Sequence, residues 1–150
     1  MIRRVCYFLF IIFGFIAYSS QGENLTMDYS DISVSLEINH SVFSTFVTVT
    51  FTNNSDQNDC KIPKWFLAEN GLEDNLFEIV DSENNQIEYI GKFVKRGRIR
   101  ESDLISIQPK ESISARIRLN KYYKLPLITN NLKIRFFVLY EIESNYISFK

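Results

Sequence analysis

From Glu23 onward the residues predict an all-β fold: an immunoglobulin-like antiparallel β-sandwich of about seven or eight strands, Greek-key in type. Three observations lead there. β-branched and aromatic residues come in short stretches divided by Asn, Asp, Ser and Gly clusters, several stretches alternate apolar with polar, and helical periodicity is almost absent. Strands with one apolar face must lay that face on a second sheet.

Taken in order, Ile32, Val34, Leu36 and Ile38 fall on one face of a strand and Ser33, Ser35 and Glu37 on the other. In the next stretch Val47, Val49 and Phe51 alternate with Thr48, Thr50 and Thr52. Phe43 is in phase with this apolar set, whereas Thr45 and Phe46 break the period. Asn53-Asn54-Ser55-Asp56 closes the stretch as a polar turn. Further strands are expected at Ile62 to Ala68, Leu76 to Val80, Ile87 to Tyr89, Leu104 to Ile107, Ser112 to Leu119 and Leu132 to Tyr140. One helical turn fits at Asn120 to Leu125, where Pro126 stops it. Of Trp65 and Phe66 one must face inward, and Tyr123 is expected to bond backbone near a strand end as a sandwich corner tyrosine. Without repeats or linkers, residues 23–150 read as one domain.

The segment 1–22 reads as a secretory signal peptide. Arg3 and Arg4 precede the apolar run Cys6 to Tyr18, and the small residues Ala17, Ser19, Ser20 and Gly22 follow. Cleavage after Ser19 or after Gly22 satisfies the small-residue rule. The run falls short of the roughly 20 residues of a membrane span, and no second run of that length follows, so a secreted or periplasmic protein with no span after cleavage is expected. Loss of Arg3 and Arg4 leaves fifteen Lys and Arg against eighteen Asp and Glu, a net charge near −3. That balance argues against nucleic acid as a partner, since phosphate binding needs clustered positive charge over much of a face.

Catalytic chemistry is not legible. His40 is the only histidine, and after cleavage Cys60 is the only cysteine. Neither a zinc site nor a Ser-His-Asp arrangement can be assembled from them. The expectation is no enzyme, no metal and no cofactor. Cys60 could pair with another chain, remain a free thiol or be buried as a small apolar group. Asp56 and Asp59, Glu73 and Asp74, and Asp81 and Glu83 read as solvated turn acids. Asn24-Leu25-Thr26, Asn39-His40-Ser41 and Asn53-Asn54-Ser55 have the form of N-glycosylation acceptors.

One segment concentrates charge. Gly91 to Arg100 (GKFVKRGRIR) carries Lys92, Lys95, Arg96, Arg98 and Arg100, with no acid before Glu101. It is long for a hairpin loop, and such loops are either functional or solvated guards of a sheet edge. As a partner-binding site these five cations are the candidates, Lys95 and Arg96 between Gly91 and Gly97 foremost.

The stretch from Ile87 to Gly97 resembles the Y-x-G-x-x-V-K-R-G signature of the deuterolysin and peptidyl-Lys metalloendopeptidase family, in its N-terminal (pro-domain) β-sandwich. Further motifs are similar to that domain in the same order. Phe51-Thr52-Asn53-Asn54 matches a T-L-T-N-T strand end, Gly71-Leu72 precedes Phe77, and Glu101-Ser102-Asp103-Leu104 resembles E-D-Y. Ile107 to Ile113 resembles L-x-P-G-E-S-V, and Leu119 to Leu125 resembles L-S-x-Y-Y-D-L. Lys110 stands where the family commonly has Gly, and the His-Glu-x-x-His zinc motif is not among these 150 residues. The resemblance implies a pro-domain role, a sandwich that assists folding of a peptidase and blocks its cleft. The expected function is therefore a non-catalytic protein-binding module, an inhibitor or immunity-like protein for a secreted or periplasmic hydrolase. The alternative is a general envelope accessory or binding module.

Overall fold

The structure, a computed structural model, describes residues 27–41, 43–126, 131–138 and 142–149. The expected signal peptide and the Asn24 triplet lie outside them. The fold is all-β, its sheets antiparallel. The strands are β1 (Ile32–Ser41), β2 (Ser44–Asn53), β3 (Cys60–Pro63), β4 (Phe77–Val80), β5 (Leu104–Ile107), β6 (Ser112–Arg118), β7 (Leu132–Val138), β8 (Ile142–Glu143) and β9 (Ile147–Phe149). One sheet runs β1-β2-β6, a second pairs β3 with β5, and in a third β7 pairs with β4, β8 and β9. Among the described residues no helix is long and apolar enough to cross a membrane.

Period-two alternation sets the first sheet. Val47, Val49 and Phe51 are fully buried, while the Thr residues between them face out. Thr50 and Thr52 hydrogen-bond across the ladder to Ser114 and Ser112, each at 2.8 Å. Aromatic rings join this sheet to the third one. Phe51 meets Phe136 of β7 edge-on at 5.1 Å, and Phe66 packs on both at 5.9 and 5.4 Å. Phe77 of β4 closes the cluster against Phe136 at 5.7 Å. Truncating one such buried ring costs about 3–5 kcal/mol.

Several expectations are corrected. Ile62 to Ala68 is not one strand: Pro63, at φ −61, ends the ladder and Lys64–Leu67 coil into a 3-10 turn. Phe66 faces the core there, whereas Trp65 is half-buried. Ile87 to Tyr89 forms no strand; isolated bridges join Val80 to Gln86 and Tyr89 to Tyr123. The helical turn sits one residue early, as a 3-10 turn over Leu119–Lys121. Phe43 leaves the apolar set because Ser41 pairs directly with Ser44, placing Phe43 in the hairpin turn at 86% exposure. Thr45, by contrast, is fully buried in phase with Val47. β8 and β9 were not anticipated; of the predicted strand Leu132 to Tyr140, residues 139–140 lie outside the described set.

Asn53, proposed above as a glycan acceptor, is a structural hub instead. It is fully buried, its amide nitrogen donates to Asn58 O at 2.8 Å and Ile107 O at 2.9 Å, and its oxygen accepts from Ser55 N at 2.9 Å. A glycan there would replace one of the two amide hydrogens and so remove at least one donated bond. Asn39 is exposed. Lys110, at the resemblance's Gly position, adopts φ 63, the left-handed backbone that Gly favours. Its ammonium anchors the turn to Asn54 O and Asp56 Oδ1, each at 2.7 Å.

Candidate functional site

The basic segment between β4 and β5 is not a strand, yet its backbone is pinned at several points. Ile90 N donates to Tyr122 O at 2.8 Å, Lys124 N to Glu88 O at 2.9 Å and Val94 N to Glu73 O at 2.9 Å. The Tyr89 hydroxyl donates to Lys92 O at 2.9 Å, so the chain curls over the Tyr89 ring. Gly91 makes that curl possible: a Cβ there would lie 2.4 Å from the ring. The ring packs edge-on against Phe93 at 5.1 Å and Tyr123 at 5.2 Å. Burial, with the Asp74 carboxylate adding to it, pushes the Tyr89 phenol up to about 12.

Tyr123 is the corner tyrosine the sequence predicted. Its hydroxyl accepts from Phe77 N at 3.0 Å at the start of β4 and donates to Asn75 Oδ1 at 2.7 Å. Burial raises its phenol pKa far above the ordinary tyrosine value.

The five candidate cations divide. Arg96 turns inward: its guanidinium binds Glu73 Oε2 at 3.0 Å, lies 3.7 Å from Asp74 Oδ2 and covers the Trp65 ring at 4.5 Å. Its side chain is 20% exposed. Arg96, expected among the foremost partner contacts, clamps the loop to the turn carrying Glu73. Lys92, Lys95, Arg98 and Arg100 are exposed and make no ion pair among the described residues. Arg100 closes a small turn, its N donating to Asp103 Oδ2 while its carbonyl accepts from Asp103 N, each at 2.9 Å.

Sequence reasoning missed the apolar half of this surface. Ile90, Phe93 and Val94 are 54, 70 and 39% exposed. Phe43 belongs to the same end of the molecule. Arg118 Nη2 donates to Phe43 O at 3.4 Å, Asn120 Oδ1 accepts from Thr45 N at 2.6 Å, and Tyr122 O accepts from Ile90 N. The segment 118–122 thus ties the β1–β2 hairpin to the basic loop. Of the five exposed large apolar residues among those described, Ile90, Phe93 and Val94 lie in this loop and Phe43 lies in the hairpin turn that the segment 118–122 joins to it. The available signal was the apolar Ile90, Phe93 and Val94 in a stretch assigned to no strand.

Among the described residues no three His, Cys, Asp or Glu side chains are placed to hold a metal. His40 Nδ1 lies 2.7 Å from Thr45 Oγ1. Cys60 is buried and its thiol bonds Asn53 Oδ1 at 3.2 Å. Burial pushes that thiol up, and Asp31, Asp28 and Asp59 push it further, away from the reactive thiolate. In comparisons with known proteins, no family model matches this chain and no curated protein is significantly similar to it.

Proposed function

We propose that this chain is an exported, non-catalytic β-sandwich of immunoglobulin-like, Greek-key type that binds another protein through the end bearing Phe43 and the loop 90–100. The reading is carried by one observation: Ile90, Phe93 and Val94 are exposed in a loop whose backbone is pinned, alongside Lys92, Lys95, Arg98 and Arg100, which make no ion pair among the described residues. Large apolar side chains clustered in this way on a water-facing end mark interaction sites. Pinning lowers the ordering cost of binding, so more of the contact energy reaches affinity. The cations select an acidic rim and speed encounter, while the apolar residues supply the central contact.

The partner class follows from the resemblance to the deuterolysin-type pro-domain, which makes a secreted or periplasmic hydrolase the partner and inhibition the role. The left-handed turn at Lys110, where that family has Gly, and the corner at Tyr123 support the resemblance. The sandwich assignment is supported by the aromatic cluster joining the β1-β2-β6 sheet to the β4-β7 sheet. The export reading rests on Arg3, Arg4 and the apolar run at 6–18.

The test begins with capture of partners from the exported fraction, followed by titration of the purified pair. Phe93→Ser with Lys95→Glu should weaken binding at least about tenfold, as loss of one central anchor does. If a hydrolase is bound, its activity should fall with occupancy. Binding without inhibition would leave an accessory module; affinity unchanged in the double variant would exclude this end of the molecule.

A further inference from the structure

β1 is one margin of its sheet, and β6 is the other. β1 pairs with β2 over ten residues and, among the described residues, with no other strand. Soluble proteins usually blunt such edges with Lys, Pro or a bulge, because unpaired amides template further pairing. β1 has none of these. Its register runs unbroken from Ile32↔Asn53 to Ser41↔Ser44, and Glu37 is its one acidic residue in a strand without Lys or Arg. Its inward row is also under-covered. Val47, Val49 and Phe51 on β2 are fully buried, but Ile32, Val34, Leu36 and Ile38 in the same layer are half-buried.

Parity identifies the free backbone groups. Asn54 N donates to Asp31 O at 2.7 Å, which makes Asp31 and Asn54 a hydrogen-bonded pair just beyond Ile32↔Asn53. Such pairs alternate along an antiparallel ladder. The odd-numbered residues of β1 therefore bond β2, and Val34, Leu36 and Ile38 turn their N–H and C=O groups outward. Ile32 N is already donated to Tyr29 O at 2.9 Å.

We propose that β1 pairs antiparallel with β1 of a second copy of this chain, about a two-fold axis at Ser35. In this register Val34 of each copy exchanges both hydrogen bonds with Leu36 of the other. Ile32 faces Ile38, and Ser33 faces Glu37. Every inward apolar residue of the strand meets an apolar one, and no like charges oppose. Moving the axis to Glu37 sets two carboxylates against each other, and moving it to Leu36 exchanges Ile32–Ile38 for Ile32–His40. The product is a continuous sheet in the order β6-β2-β1-β1-β2-β6. The contact is isologous and uses each β1 edge once, so along β1 it closes at a dimer. It needs no other partner and leaves the Phe43 end out of the contact register.

Sedimentation velocity of the purified protein tests the assembly, and single cysteines test the register. The wild type should sediment as a dimer at micromolar concentration. Val34→Pro should be monomeric, since it deletes an outward N–H and spares the odd-numbered bonds to β2. Ser35 opposes its own copy as a non-hydrogen-bonded pair, with Cα atoms about 4.5 Å apart, within disulfide reach. Under mild oxidation Ser35→Cys should form a linked dimer at least about tenfold faster than Ser33→Cys, which faces Glu37 rather than itself. Cys60 is buried and does not compete. A monomeric wild type, or equal cross-linking of the two cysteine variants, overturns the proposal. If Val34→Pro fails to fold, the cysteine comparison still decides.

Discussion

Replacing Arg96 by Ala asks whether this side chain frames the loop or forms part of its contact surface. The guanidinium touches Glu73 at 3.0 Å, Asp74 at 3.7 Å and the Trp65 face at 4.5 Å. The Arg96–Glu73 pair is partly shielded, at 20 and 28% side-chain exposure, but still screened by solvent, so about 1 kcal/mol is its scale. Stacking on Trp65 contributes about 1 kcal/mol more. Both terms share one guanidinium and do not add in full, so Arg96→Ala should cost about 1–2 kcal/mol. Lys95→Ala, an exposed neighbour, should stay within about 0.5 kcal/mol. Urea unfolding followed by the emission of Trp65, the single tryptophan, reads both effects. The midpoint should fall, and the native emission should shift to the red as the indole loses its cover. Arg96→Lys should recover little, because an ammonium cannot stack on Trp65 while pairing with two carboxylates. An unchanged midpoint together with unchanged native emission in Arg96→Ala would refute the clamp and return Arg96 to the contact surface.

Two further outcomes follow from the geometry. Tyr123→Phe keeps the ring but leaves Phe77 N–H without its buried acceptor, which should cost about 1–3 kcal/mol; a chemical-unfolding loss below about 0.5 kcal/mol would show that the corner bond is not needed. Glu78 is held below its ordinary value of 4.5 by the Tyr146 hydroxyl and then by Arg135, so its folded pKa is lower than its unfolded one. Its stabilising contribution is therefore present above about pH 4.5 and is lost as pH falls through the lower folded value. Glu78→Gln should flatten the acid limb of stability against pH, and parallel limbs for the two proteins would contradict this.

The parts of the fold legible in the sequence are those with a period and a clear partner face. Ile32 to Ile38 and Val47 to Phe51 were read in phase because one face of each is packed, and the polar turn at Asn53 marked the end of β2. The failures share a cause. Trp65, Phe66 and Leu67 are as apolar as any strand, but Pro63 ends the ladder, and local composition does not distinguish a 3-10 turn from further paired residues. Ile87 and Tyr89 have strand propensity but little to pair with, since a strand exists only through its neighbours. Phe43 has the right phase and the wrong place, because a two-residue turn lifts it out of the ladder.

The same logic separates the cations of the loop. Lys95 and Arg96 are adjacent, similar in charge and alike in any compositional reading. What distinguishes them lies more than twenty residues upstream, where the turn after Gly71 brings Glu73 and Asp74 under the loop. Gly71, at φ 89, permits that turn. The two acids looked like solvated turn residues, but they neutralise the one guanidinium that can bridge both while stacking on Trp65. Among the described residues that leaves Lys92, Lys95, Arg98 and Arg100 without an ion pair in the loop that carries Phe93 and Val94. A loop placed only to keep an edge strand from aggregating would have no use for a 70% exposed Phe93 held against Tyr89. Among the described residues β1 pairs with β2 alone and carries no Lys, Arg or Pro. Exposed charge with Phe93 on one element, and an edge unpaired among the described residues on another, are the separate grounds for the two contacts proposed above.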